Sequence, residues 1–311
     1  MSICHPPPTL TEANLPDQHG KVFIVTGSSS GFGKELAKIL YQRHAKVYIA
    51  VRSESKARVA IEELRSLLPH SQGELLYLHL DLADLVSVKA SALDFISREN
   101  RLDVLWNNAG VMLPPEGSKT VQGFELQLGV NALATLLFTL WLRPLLVATA
   151  AKSPANSVRV VWVSSMAAKR APKPPIDFSN MRHERFDEGQ QTKYSRSKAG
   201  MVLLAAEFGN RVASDGVVSI SLEPGIAKTE LQRNMPAAQR LLVSVGGYEP
   251  IKGAYTELFA GLSPEITLQN QGLWVVPIGR LQPYRKDLLD ESLRIKYYEW
   301  AELQIRPYMD I

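Results

Sequence analysis

From residue 21 the chain alternates two patterns: short apolar runs rich in β-branched residues, and longer stretches where apolar positions recur every three or four residues. An apolar run without polar alternation suits a strand buried on both faces, while the longer recurrence gives a helix one apolar side. Strands are therefore predicted at KVFIVT (21–26), KVYIAV (46–51), ELLYLHL (74–80), LDVLW (102–106), SVRVVWV (157–163), GVVSISL (216–222) and GLWVVP (272–277). Helices are predicted over 33–44, 53–68, 84–98, 123–150, 194–214 and 250–262. Strictly alternating strands and helices, joined by right-handed crossovers, imply an α/β fold: a Rossmann-type doubly wound parallel sheet in a single domain.

Three segments stand outside the alternation. Residues 166–193 carry three prolines and many charges and predict an inserted surface loop. Residues 226–250 predict a substrate lid, because NMPAAQRLLVSVGGY (234–248) mixes apolar residues with a Gly246-Gly247 hinge. Residues 284–311 predict a C-terminal helical extension packed on the domain. The expected division is a flexible segment over 1–20, a main domain over 21–283 and that extension.

Composition narrows the setting. The 311 residues suffice for one large α/β domain, and 45% hydrophobic with 21% charged residues is ordinary for a globular chain. A net charge of +4 without a dense Lys/Arg run argues against a nucleic-acid partner. A single cysteine, Cys4, excludes an internal disulfide framework and fits a reducing compartment, so a cytoplasmic location is expected. The proline-rich start holds no apolar leader, and the apolar stretch near 133–151 is broken by Arg143 and Pro144; no transmembrane segment is expected. His70, His79 and His183 lack partners at metal-ligand spacing, so no metal is expected.

The candidate chemistry begins with TGSSSGFGKEL, directly between the first strand and the first helix. Gly27, Gly31 and Gly33 stand where a chain must turn sharply and let its backbone approach a diphosphate, which the helix N-terminus then attracts. Ser28, Ser29 and Phe32 complete the turn, with the serines as further donors. The second strand ends in Arg52 with no carboxylate to accept from a ribose 2′-hydroxyl; this favours NADP(H), whose 2′-phosphate an arginine pairs with. Asp81, after the third strand, has two compatible roles: contacting an adenine amino group or helping to start the next helix. Asn107, Asn108, Ala109 and Gly110 follow the fourth strand, as a backbone packed beside a cofactor or as a turn. Tyr194 and Lys198 are four residues apart on a predicted helix, so their side chains point the same way. An ammonium beside a phenol is expected to lower the phenol's pKa from about 10 and make it a general acid or base. Ser164 and Ser165, after the fifth strand, offer a hydroxyl to a substrate oxygen.

In chain order, TGSSSGFG, Asp81-Leu82, NNAG at 107–110, Asn131 in a helix, V-S-S before Met166, YSRSK at 194–198 and Pro224-Gly225 followed by Thr229 resemble the short-chain dehydrogenase/reductase family over residues 20–280. Within it the chain looks most like the retinol-dehydrogenase-like branch and fungal relatives acting in secondary metabolism. The resemblance implies a catalytic set of Asn131, Ser165, Tyr194 and Lys198. Ser165 would bind the substrate oxygen, Asn131 would hold a water linking Lys198 to solvent, and Lys198 would bond the nicotinamide ribose. By the same resemblance Leu82, Pro224 and Gly225 line the cofactor site and Thr229 binds the carboxamide. A homodimer or homotetramer built on the helices at 123–147 and 194–214 is implied too. Ser165 and Tyr194 lie 29 positions apart, longer than the family's usual separation, which marks 166–193 as inserted.

The expected activity is interconversion of a lipophilic alcohol and its ketone or aldehyde with NADP(H), the lipophilicity being read from Leu241, Leu242 and Val243 in the lid. A dehydratase, isomerase or cyclase on the same fold is the alternative, since an acid–base tyrosine serves those reactions also. A cofactor sensor without chemistry would have no need of Tyr194 and Lys198.

Overall fold

The computed structural model describes residues 6–183, 185–186, 188–235, 247–270 and 273–310. Its centre is an eight-stranded sheet built from β1 (Val22–Thr26), β2 (Lys46–Val51), β3 (Glu74–His79), β4 (Val104–Asn107), β5 (Arg159–Val163), β6 (Val218–Leu222), β7 (Leu273–Val276) and β8 (Arg280–Pro283). The strand order is β3-β2-β1-β4-β5-β6-β7-β8. The first seven strands run parallel, and β8 alone pairs antiparallel, with β7.

Strands without polar alternation end up covered on both sides, as their composition requires. Along β1, Ile24 joins one core while Phe23 and Val25 join the other; along β5, Trp162 and Val161 divide the same way. Helices α3 (Leu85–Arg98), α4 (Leu126–Ala150) and α5 (Gln190–Val212) cover the first face. Helices α1 (Gly31–Gln42), α2 (Glu54–Leu67) and α6 (Pro250–Leu262) cover the second. This is the doubly wound arrangement expected from the alternation. The direction of strand order reverses between β1 and β4, and a crevice opens beyond their C-terminal ends.

Three expectations change. The apolar stretch near 133–151 was read as broken by Arg143 and Pro144, yet it belongs to one continuous helix, α4, long and apolar enough by length and composition to cross a membrane. It runs through Pro144, and 67% of its most apolar window is buried, because it packs between the sheet and α3 as a core helix. Residues 10–18, placed in a flexible segment, lie fixed against α1 and α6. Leu15 is buried in the second core, Arg43 donates to the Glu12 carbonyl (2.8 Å) and the Tyr255 hydroxyl to the Glu12 carboxylate (3.2 Å). Strand β8 was not foreseen: RLQP is short, mostly polar and ends in proline, which only an edge strand tolerates.

The loop over 166–193 is anchored rather than loose. Ala171 and Ile176 enter the first core, Arg285 donates to the carbonyls of Lys169 (3.0 Å) and Ala171 (2.6 Å), and Arg196 grips Glu188 (2.6 Å). The C-terminal extension forms α7 (Glu291–Ile305), started by Asp290 accepting from the Leu293 amide (2.7 Å). It lies along α5, burying Tyr297, Tyr298, Ala301 and Ile305.

Candidate active site

The crevice at the β1/β4 switch is a cleft of about 640 Å³ that runs from the β2 end to the start of α5. Its floor is the glycine turn, and close packing explains the glycines. At Gly27 the backbone is left-handed (φ +70°), and a Cβ would stand 2.9 Å from the Ala109 Cα. At Gly33 a Cβ would stand 2.5 Å from the Asn108 amide nitrogen, so α1 can approach the 107–110 segment only without a side chain. The 107–110 segment is held in turn by β1: Asn108 donates to the Thr26 carbonyl (2.7 Å), and the Ala109 amide donates to the Thr26 hydroxyl (2.8 Å).

Most residues expected at a cofactor line this cleft: Gly27, Ser29, Gly31, Phe32, Arg52, Asp81, Leu82, Asn108, Ala109, Gly110, Pro224, Gly225 and Thr229. Gly33 lies behind the turn, packed on Asn108. Ser28 departs from expectation. It is fully buried, its hydroxyl donates to the Val25 carbonyl (2.6 Å), and it is spent on closing the turn rather than on a ligand. Asn107 likewise turns away, donating to the Thr139 hydroxyl under α4 (2.9 Å). Asp84, not Asp81, starts α3 by accepting from the Val86 amide (3.0 Å); Asp81 accepts from the Ala83 amide in the turn before it (2.9 Å) and faces the cleft.

Side chains unforeseen in sequence also line it. Ser30 precedes α1 without capping it. Lys56 and Glu230 approach each other across the mouth at 3.6 Å, both largely exposed. Neither is signalled locally, since each meets the cleft only through the fold.

A dinucleotide fits these observations. The turn is stripped of side chains where backbone approach is closest, α1 presents its N-terminus, and Arg52 is exposed with no ion pair among the described residues.

At the far end the cleft reaches Ser164, Ser165, Tyr194 and Lys198. Asn131 lies within a π-helical turn of α4, Gly129–Ala134, a widening often found at functional sites. It is fully buried and its amide is tied down, accepting from the Val111 amide (2.8 Å) and donating to the Val111 carbonyl (3.0 Å) and the Ser197 hydroxyl (3.0 Å). Gly110 packs against it, since a Cβ there would stand 3.0 Å from the Asn131 oxygen and 3.3 Å from the Lys198 ammonium. Ser164 is a brace, donating to the Lys198 carbonyl (2.7 Å). Ser165 starts the turn Met166–Arg170, and its hydroxyl lies close enough to the Tyr194 phenol to draw its pKa down. Thr229 starts the turn Glu230–Asn234 in a capping box with Gln232. Leu241, Leu242, Val243 and Gly246 lie outside the described residues. The cleft lining also includes the apolar residues Val111, Pro114, Pro115, Leu126 and Val130.

The electrostatics reverse one expectation. Burial pushes the Tyr194 phenol up to about 12, outweighing the Ser165 hydrogen bond. Burial also lowers Lys198 to about 7, against the opposing field of Glu257. The ammonium sits 5.9 Å from the phenol ring centre and donates to the Val163 carbonyl (2.8 Å), so it does not depress the phenol as the spacing suggested. Burial thus favours the neutral, protonated form of the Tyr194 phenol.

Residues 21–175 match the sequence model of the short chain dehydrogenases. A short-chain dehydrogenase/reductase from Emericella nidulans, pkfC, is 51% identical over 307 residues, covering 97% of this chain and 98% of that protein. Among solved structures, an uncharacterised protein from Mycobacterium Paratuberculosis superposes with a TM-score of 0.73 at 27% identity, over 96% of this chain and 97% of that one. The NADPH-bound carbonyl reductase from chicken fatty liver shares the fold, with a TM-score of 0.65 at 18% identity over 88% and 97%. With a relative this similar along almost the whole of both sequences, and a sheet and cleft of this architecture, the chain belongs to the short-chain dehydrogenase/reductase family, a family of oxidoreductases.

Proposed function

We propose that this protein is an NADP(H)-dependent oxidoreductase that interconverts a lipophilic alcohol and its ketone or aldehyde, with Tyr194 as the acid–base group. The observation that carries the reading is a buried phenol facing a serine hydroxyl at the deep end of a cleft that starts at a glycine turn. The dinucleotide, when bound, supplies or takes up hydride. Arg52 pairs with its 2′-phosphate, the turn from Gly27 to Gly33 receives its diphosphate, and Lys198 and Thr229 hold its nicotinamide end.

Ser165 and Tyr194 orient the substrate oxygen by hydrogen bonding. In reduction Tyr194 gives its phenolic proton to that oxygen as negative charge develops there. A phenol raised to about 12 by burial keeps this proton available for donation throughout the neutral range. Lys198 lies behind the phenol with its amine held on the Val163 carbonyl, and the amide of Asn131 fixes the chain beside it. The apolar residues among the cleft lining support a lipophilic substrate. A cytoplasmic setting belongs to the same reading and rests on the lone cysteine. A place in fungal secondary metabolism rests on the fungal origin of the relative. Because α7 already covers part of α5, any pairing of copies is expected to use other parts of the α4 and α5 surface.

The test is loss of NADPH absorbance in the presence of a panel of medium-sized lipophilic ketones and aldehydes. Turnover with several members is expected. No loss across the panel would overturn the reading, and substrate conversion without net NADPH consumption would replace it with a non-redox one.

A further inference from the structure

Lys56 and Glu230 stand on opposite sides of the mouth at the nucleotide end of the cleft. Lys56 lies in the first turn of α2, four residues past Arg52, and its amide donates to the capping Ser53 hydroxyl (3.3 Å). Glu230 follows Thr229, whose side chain packs on the glycine turn: a Cβ added at Gly31 would stand 3.4 Å from it. The Thr229 amide donates to the Gln232 side-chain oxygen (2.9 Å), and the Gln232 side-chain nitrogen donates to the Ala227 carbonyl (2.6 Å). The backbone on each side is therefore fixed by its own capping bonds. Together these two turns bring an ammonium and a carboxylate to 3.6 Å across the opening.

Two other acids near this end are engaged locally. Glu54 pairs with Arg58 within α2 (2.5 Å), and Asp81 accepts from the Ala83 amide in its own turn (2.9 Å). Glu230 instead reaches across to a cation on the connection between β2 and α2, the same connection that carries Arg52. A carboxylate at this place repels a phosphate entering beside Arg52, and it occupies a lysine placed to meet one. Both side chains of the pair are largely exposed, 66% and 61%, so the contact adds little to stability and either partner can be exchanged for another charge.

We propose that Glu230 is a specificity-determining residue that tempers the preference for the phosphorylated coenzyme. In the free protein it holds Lys56 across the mouth, and it yields the lysine when a 2′-phosphate enters. The inference rests on the coenzyme reading above, in which Arg52 takes that phosphate; Lys56 becomes a second cation for it, and Glu230 sets how readily that cation is released. The carboxylate thereby subtracts from affinity for NADP(H) and leaves affinity for NAD(H) nearly unchanged.

The test is binding, not turnover. Calorimetric titration of the full-length protein with adenosine 2′,5′-bisphosphate and with adenosine 5′-monophosphate isolates the contribution of the 2′-phosphate. At low salt, Glu230→Gln is expected to bind the bisphosphate roughly three- to tenfold more tightly than wild type, the scale of one exposed charge contact, and to change the monophosphate by less than about twofold. Lys56→Met is expected to weaken the bisphosphate by a similar factor, and in the double variant most of the gain from Glu230→Gln should vanish, because the two residues act as a pair. An unchanged bisphosphate affinity in Glu230→Gln overturns the proposal. So does an equal gain for both nucleotides, or a gain that persists in full without Lys56. The wild-type preference between the two nucleotides scores the coenzyme reading and the change on Glu230→Gln scores the proposal, so the two fail separately.

Discussion

The two ends of the cleft are built by different means. At the nucleotide end the shape is set by what is missing: side chains are absent at Gly27 and Gly33, and two backbones close to contact distance. At the reacting end the shape is set by what is buried: a phenol, an amine and an amide are held with little solvent. The first construction fixes position at small electrostatic cost. The second stores charge chemistry in a low-dielectric place, where burial shifts each ionisation by more than any neighbour restores. The floor of one end therefore responds to added volume, the core of the other to altered charge.

The largest separation of the two should come from Tyr194→Phe, which removes one hydroxyl and no packing. Turnover is expected to fall by about 10² to 10⁴, the range of a positioned acid–base group, while NADPH binding measured by fluorescence stays near wild type. Equal losses in both would mean that the two ends are not separable. Gly27→Ala should do the converse. A methyl in contact with Ala109, on a left-handed backbone, is expected to cost about 1–3 kcal/mol of stability in denaturant unfolding and to weaken NADPH binding. Smallest and most selective is Arg52→Ala. It should weaken NADPH binding by roughly 10- to 100-fold, the worth of a charge-assisted hydrogen bond, and leave NADH unaffected. Equal wild-type affinity for the two nucleotides would remove the basis of the coenzyme assignment.

The nucleotide end was largely legible in the sequence because its determinants are local. A strand, a glycine turn and a helix follow one another within residues 22–42, and the close approach of Gly33 to Asn108 only adds a second local motif to the first. Even there, the use of Ser28 to close the turn was hidden, since two adjacent serines look alike until the backbone shows which one turns inward. At the other end, order and spacing brought Ser165, Tyr194 and Lys198 to one cleft, but did not show their surroundings. A four-residue spacing shows that two side chains share a helix face; it does not show that Lys198 extends past the phenol to Val163, or that both are stripped of water. The membrane-length helix α4 shows the same gap, because apolar content does not reveal what covers it.

The contact between Gly200 and Tyr297 has an implication for biosynthesis. The helix that carries Tyr194 and Lys198 leaves a notch at Gly200, and the Tyr297 ring of α7 fills it. While a nascent chain has yet to release residues 291–305 from the ribosome, that notch stands open and the helix lacks its outer support. The packing of that helix is then completed late in synthesis, after the glycine-turn end of the cleft has been made.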